Sequence, residues 1–228
     1  MNVDQDIIKY PPDQYNQTLF WNGLNGGLIR FSTSQVQYLL DYAKHGQIQG
    51  QEANDTLAGH LRKEYLINNK EVLEKTKDLI LPFAEEVDHE LGLVATAMNQ
   101  LSKETQKQFN PYFSLDDLWV NYQQKHEFNP LHTHTGLYSF VIWLQQPYRI
   151  EDENQFGPGA GAPDHEKCCG AFYCQGTHGR NINILVDKTW NATAFIFPAT
   201  ARHGVYPFYT SDDYRITVSG NIYMDLKE

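Results

Sequence analysis

The segment NPLHTHTGLYSFVIWLQ, residues 129 to 145, sets His132 and His134 two positions apart, just ahead of a run of β-forming residues. In an extended chain the side chains alternate between faces, so residues i and i+2 project the same way, roughly 7 Å apart along the backbone. Two imidazoles so placed can converge on one metal ion, although the same pair also suits two polar residues in a turn before a strand. A third histidine, His203, follows a second apolar segment in FPATARHGVYPF, and Arg215 opens the last β-type segment twelve residues later. On that segment Arg215, Thr217, Ser219 and Asn221 share one face, while Ile216, Val218 and Ile222 share the other. If the apolar face packs on helices, the polar face must line a barrel interior or a groove. A buried guanidinium needs a partner. A small carboxylate ligand supplies one through the planar fork, with a hydroxyl beside it; an exposed edge strand with a solvated arginine is the alternative.

These residues need a scaffold, and the chain divides into two zones that provide one. Val36, Leu39, Leu40 and Ala43 recur at helical spacing between Ser34 and His45, with Thr33 or Ser34 placed to cap the start and Gly46 to end it. Phe83, Val87, Leu91, Val94, Met98 and Leu101 form one stripe of a longer helix expected from Pro82 to about Gln108, with the proline in its first turn. The stretch NDTLAGHLRKEYLI has no firm period and reads as loop plus a short helix or strand. After Pro111 the pattern changes to seven short β-type segments: LWVNYQQ, LYSFVIWLQ, GAFYC, NINILV, TAFIFP, HGVYPF and YRITVSGNIYM. Closely spaced strands of this kind suggest a sandwich or barrel. The Gly- and Pro-rich stretch between Pro147 and Asn181 reads as a long loop, and Glu151 to Gly179 as a lid.

Composition excludes several functions. With 228 residues the chain can bury a sizeable core, and 14 Tyr and 12 Phe favour a β-rich globular unit over disorder. The formal net charge of −10, with no run of Lys and Arg, argues against nucleic acid as a partner. The start MNVDQDIIKY lacks the basic and apolar pattern of an export signal, and the apolar run from Leu137 to Leu144 is too short to span a bilayer. A soluble cytoplasmic protein without a membrane role is expected. Cys168, Cys169 and Cys174 fall in one segment, unlike a dispersed disulfide framework. Cys169, Cys174 and His178 offer zinc-type ligands, but at no structural zinc spacing.

The order His-x-ligand, long insert, distal His, then Arg-x-Thr resembles the iron(II)- and 2-oxoglutarate-dependent oxygenases. NYQQKHEFNPLHTHTGLYSFVIWLQ and IFPATARHGVYPFYTSDDYRITVSGNI are similar to a poorly characterised branch found in bacteria and marine phages, over roughly residues 117 to 224. A phage origin would place the protein in the host cytoplasm. The resemblance implies an α+β, mainly β fold: a double-stranded β-helix, or jelly roll, with N-terminal helices packed on one sheet. Residues 111–228 would form the catalytic core and residues 1–110 a helical support within the same globular unit.

The resemblance further implies Fe(II) as cofactor and 2-oxoglutarate as co-substrate, which yields succinate and CO2 as an unidentified amino-acid, protein or small-molecule substrate is hydroxylated. The usual ligand set in this family is two histidines and one carboxylate. Here His134 stands where the carboxylate is expected. Three versions follow: a neutral set of His132, His134 and His203; a set completed by a loop carboxylate such as Asp164 or Glu166; or two ligands and a halide, as in related halogenases. The three-histidine version leaves the site one unit more positive, so iron and 2-oxoglutarate should bind cooperatively. Arg215 and Thr217 would hold the distal carboxylate of 2-oxoglutarate. Asn121 and Tyr122 are both candidates to touch it, and alternation allows only one to point inward. A three-histidine dioxygenase that needs no 2-oxoglutarate and a non-catalytic jelly roll are the competing readings; oligomeric state is not legible.

Overall fold

Three short strands, β1 (Ile7–Ile8), β2 (Thr18–Phe20) and β3 (Gly27–Arg30), precede helix α1 (Thr33–His45). Strand β4 (Lys63–Leu66) leads into helices α2 (Lys70–Leu91) and α3 (Leu93–Thr105). The β-rich part then runs β5 (Asn110–Gln123), β6 (Asn129–His132), β7 (Tyr138–Gln145), α4 (Ile150–Phe156), β8 (Phe172–Gln175), β9 (Asn181–Ile184), β10 (Thr193–Pro198), β11 (His203–Val205) and β12 (Arg215–Lys227). This computed structural model describes residues 7–45, 60–163, 166–176, 179 and 181–227.

The strands form two sheets. The major sheet has the order β2-β3-β10-β7-β12-β5-β4 and the minor sheet the order β1-β9-β8-β11-β6. From β5 to β12 the chain contributes four strands to each sheet, and within each sheet the neighbours are mostly distant in sequence. That is the winding of a double-stranded β-helix, the jelly-roll arrangement. Strands β1 to β4, all before residue 110, extend the edges of both sheets. The segment before residue 110 is therefore not only a helical support but also part of the sheets.

Alternation along β12 decides which side each residue serves. Ile216, Val218 and Ile222 join the cluster beneath the helices, together with Val36 and Leu39 of α1 and Val72, Ile80, Ala84 and Val87 of α2. Arg215, Thr217 and Ser219 face the space between the sheets. Apolar side chains fill the rest of that space, among them Ile8, Leu28, Trp190 and Phe195, while Trp143 and Phe172 of the same cluster also line the cavity. A sheet with one face under helices and the other toward a partner sheet buries both, and β7 is accordingly apolar almost throughout.

The long helix differs from the expectation at both ends. It starts at Lys70, capped by the Asn69 side chain on the Val72 amide, and Pro82 lies inside it instead of in its first turn. Pro82 and Asp78, whose carbonyl loses its usual partner, are both exposed, so water can satisfy the freed oxygen. Gly92, at φ 68°, ends α2 in the left-handed conformation and splits the expected stripe into two helices. The Asp88 carboxylate accepts from the Val94 amide at 3.0 Å and from the Tyr138 hydroxyl at 2.6 Å, which fastens this corner to β7. Among the described residues no helix is long and apolar enough to cross a membrane.

Candidate metal and co-substrate site

His203 opens β11, where the pairing register sets it directly opposite His132 of β6. Strand β6 contains Pro130 and spans only four residues, which concealed it in the sequence. His134 follows in the β6–β7 connection, whose backbone is pinned by a hydrogen bond from the His134 amide to the Ala199 carbonyl (2.9 Å). The three rings converge: one ligand atom from each of His132, His134 and His203 lies within 4.8 Å of the others. The His134 and His203 Nε2 atoms are 3.1 Å apart. Two nitrogens bound about 2.1 Å from a metal at a right angle are themselves about 3 Å apart.

Backbone carbonyls set the orientation of two of the rings. His132 Nδ1 lies 2.7 Å from the Pro130 carbonyl and His203 Nδ1 lies 2.9 Å from the Ala201 carbonyl. With Nδ1–H donating, Nε2 is left as the acceptor and ligand atom in both. Burial holds all three imidazoles below their ordinary pKa. His134 is lowered to about 4, by burial and then by the neighbouring His132; His203 is lowered to about 3, by burial and then by His132. Neutral imidazole is the form that binds a metal. Phe172 stacks on His203 at 5.6 Å, Phe197 meets the same ring edge-on at 4.6 Å, and Trp119 leans on His134 at 5.5 Å, so aromatic rings pack against the cluster.

The same cavity holds the polar face of β12. Arg215 is 2 % exposed, and its guanidinium has one hydrogen-bond partner among the described residues, the Gly170 carbonyl at 3.0 Å. No carboxylate of the described residues pairs with it. Gly170 sits at φ +71° with Tyr148 packed where a Cβ would go, and the Tyr148 hydroxyl donates to the same carbonyl at 2.8 Å. A buried cation with spare donors, facing a cavity, suits an anionic ligand. Thr217 lies one step along β12, and the Asn121 Nδ2 donates to its hydroxyl at 3.2 Å.

The structure resolves the Asn121–Tyr122 alternative. Asn121 faces the cavity. Tyr122 turns to the helix side, where its hydroxyl donates to the Ala43 carbonyl at 2.7 Å, so it is a packing residue and does not reach the site. Asp164 and His178 lie outside the described residues. Glu166 is exposed and no carboxylate of the described residues joins the three-histidine group. Cys174 is buried in the apolar cluster with its thiol pushed up to about 12 by burial, which disfavours the thiolate a zinc ion requires. The expected lid is not a single loop: it contains α4 and β8, and the buried Glu153 carboxylate of α4 accepts from the Tyr209 and Thr210 amides. Glu64, Trp119, Gln123 and Asn129 also line the cavity, and no sequence signal marked them.

Residues 117–221 match the model of a family described as putative 2OG-Fe(II) oxygenase. No curated protein matches the sequence significantly. Among solved structures, the chain is similar to a prolyl-4-hydroxylase from Pseudomonas putida, with 13% identity and a TM-score of 0.49 over 87% of this chain and 92% of that one. It is similar to a collagen prolyl hydroxylase of Paramecium bursaria Chlorella virus-1 in its 2OG complex, with 12% identity and a TM-score of 0.49 over 88% and 97% of the two chains. A prolyl hydroxylase from Trichoplax adhaerens gives 11% identity and 0.48 over 89% and 84%.

Proposed function

We propose, since the chain belongs to the superfamily of iron(II)- and 2-oxoglutarate-dependent oxygenases, that His132, His134 and His203 hold its iron and that Arg215 and Thr217 hold its 2-oxoglutarate, with Asn121 beside them. The reaction is hydroxylation of an amino-acid, protein or small-molecule substrate, with 2-oxoglutarate converted to succinate and CO2. One observation carries the reading: three neutral imidazoles share one cavity with a buried guanidinium that has no carboxylate partner among the described residues.

Iron, when bound, supplies oxygen activation coupled to decarboxylation of the keto acid. The protein's own residues prepare for that chemistry. His132 and His203 are oriented by their Nδ1 hydrogen bonds, and the phenyl and indole rings around them exclude water. Three neutral ligands leave the full charge of a divalent ion uncompensated, which favours an anionic co-ligand in the same cavity. Arg215 receives the far carboxylate, and Thr217 adds a hydroxyl donor one step along the strand.

All the residues proposed to bind iron and 2-oxoglutarate follow Pro111, which supports residues 111–228 as the catalytic core. The net charge of −10 supports a substrate other than nucleic acid. The three free cysteines suit a reducing, cytoplasmic compartment. The test is anaerobic addition of Fe(II) and then 2-oxoglutarate to the whole chain. A visible charge-transfer band should appear only with both, and succinate should form when air is admitted. Iron binding with no such band would favour a dioxygenase that does not use 2-oxoglutarate.

A further inference from the structure

The major sheet carries a row of paired residues that extends to both sides of Thr217. Asn121 of β5 is in register with Thr217 of β12, Thr217 with Trp143 of β7, and Trp143 with Thr193 of β10. Partners in register share a face of the sheet, with Cβ atoms about 5 Å apart, and Asn121, Thr217 and Trp143 all line the cavity. Ser219, two residues along β12, pairs with Trp119, whose indole leans on His134, whereas Arg215 lies two residues along in the other direction. The row thus stands between the level of the histidines and that of the guanidinium, about 7 Å along the strand from each.

Hydrogens along this row lack acceptors. The Asn121 Nδ2 donates to the Thr217 hydroxyl oxygen, which leaves the Thr217 hydrogen free to donate elsewhere. Trp143 is 0 % exposed, and its Nε1–H has no acceptor among the described residues. A buried indole N–H ordinarily finds one. Trp190 and Phe172 meet the Trp143 ring edge-on at 5.5 and 5.9 Å, and neither side chain carries a lone-pair acceptor. The Thr193 hydroxyl, on the far side of the row, is also without a partner, so the two do not satisfy each other. Arg215 adds the donors that the Gly170 carbonyl does not use. A set of donors with no acceptor on the protein suits a ligand group that only accepts, and an ionised carboxylate, with about four lone-pair sites, is such a group.

We propose that the Trp143 indole N–H is a further donor to the distal carboxylate of 2-oxoglutarate, alongside Arg215 and Thr217, and that it helps select this co-substrate by its second carboxylate. The inference rests on the oxygenase reading above, to which it adds a binding residue from a different strand. The keto-acid end is common to all 2-oxo acids and belongs to the iron; only the far carboxylate reaches the row. A charged acceptor makes a shorter and stronger hydrogen bond than a neutral one, and it completes the single polar atom of Trp143. Strand β7 is paired on both sides, to β10 and β12, so the ring is held in place before the ligand arrives.

The probes are 2-oxoglutarate and 2-oxopentanoate, which keeps the keto-acid end and carries a methyl group in place of the distal carboxylate. Each is titrated anaerobically into the whole chain with Fe(II), following the charge-transfer band. Trp143→Phe, which removes the N–H and keeps an aromatic ring, should weaken 2-oxoglutarate about tenfold and leave 2-oxopentanoate within about twofold of wild type. A purely structural role would weaken both acids alike. The second measurement needs no variant of Trp143: in wild type labelled with 15N-tryptophan and loaded with Zn(II) in place of iron, one of the four indole N–H signals should move downfield with 2-oxoglutarate and stay in place with 2-oxopentanoate. Replacing Trp21, Trp119 and Trp190 by Phe in turn assigns that signal by elimination. Equal loss of both acids in Trp143→Phe, unchanged 2-oxoglutarate affinity, or a Trp143 signal that ignores the distal carboxylate each overturns the inference, with the wild-type band still present to show that the oxygenase reading stands. If the band never forms in wild type, the oxygenase reading fails and the inference falls with it.

Discussion

The Arg215 guanidinium donates to the Gly170 carbonyl at 3.0 Å, and among the described residues this is the only hydrogen bond of a side chain that is almost wholly buried. Taking a charge out of water for a single neutral acceptor is unfavourable unless a ligand completes the set. Replacing Arg215 by Met should therefore leave the melting temperature of the ligand-free protein unchanged or raised, while abolishing the rise that 2-oxoglutarate gives the wild type. Arg215→Lys keeps the charge but loses the fork, and should weaken 2-oxoglutarate by about 10- to 100-fold. A ligand-free Arg215→Met protein that melts well below wild type would show that the guanidinium is already satisfied.

Removal of one imidazole should remove the metal. His203→Ala is expected to lower iron affinity by about 100-fold or more, since even outer partners of a metal ligand are worth 10- to 100-fold. Metal content after dialysis measures this, and a chelator should bring the wild-type melting temperature down to that of the variant. His134→Asp restores a carboxylate to the set. It should retain iron but weaken the mutual enhancement of iron and 2-oxoglutarate binding, read by titrating iron with and without the keto acid.

Gly220 tests the packing of β12 against its neighbours. A Cβ there would stand 2.7 Å from the Asp117 carbonyl oxygen and 2.7 Å from Phe140 Cε1, one of them backbone that cannot swing away. Gly220→Ala should cost about 1–3 kcal/mol, which for a chain of this size lowers the melting temperature by roughly 3–10 °C. Calorimetry that finds no change would mean the strand accommodates the methyl group.

Glu64 should leave a signature in the pH dependence of stability. Its carboxyl titrates near 7 when folded, against 4.5 as the ordinary value. Between those values the folded state binds more protons than the unfolded one, so this group makes stability fall as pH rises through that window. The contribution is present in full below about pH 4.5 and lost as pH rises through about 7, and amounts to roughly 3 kcal/mol. Denaturant titrations of wild type and Glu64→Gln across the window should show a steeper decline in the wild type. Parallel curves would mean that the carboxyl is not perturbed by its surroundings.

Much of the site was legible because it depends on strand parity. His132 with His134, and the row from Arg215 to Asn221, need only an extended backbone to share a face, and the structure gives them one. Parity cannot say which face is inward, so the sequence leaves Asn121 and Tyr122 equivalent, and it is the helices covering the Tyr122 side that distinguish them. Glu64 was invisible for a related reason. It lies in a polar segment with no apolar period, and only pairing with β5, more than fifty residues away in sequence, turns it toward the cavity. Pro82 has the residue type of a helix start, yet it lies inside α2. An exposed face tolerates a proline, and the true break is Gly92, whose left-handed backbone fits its residue type. Strand β6 was missed because four residues that include a proline carry too little pattern, although one of the proposed iron ligands is its last residue.

Strand β1 is only two residues long, yet it pairs in parallel with β9 through Ile7 and Ile8, and Ile8 is fully buried. It occupies an edge of the minor sheet that would otherwise present unpaired amides and carbonyls along Asn181–Ile184. Shortening the chain past Ile8 would thus free a template for intermolecular strand addition in the very sheet that carries His132 and His203. Any tag or fusion at this end is best joined through a spacer long enough to leave those two isoleucines seated, so that self-association is not mistaken for a property of the enzyme.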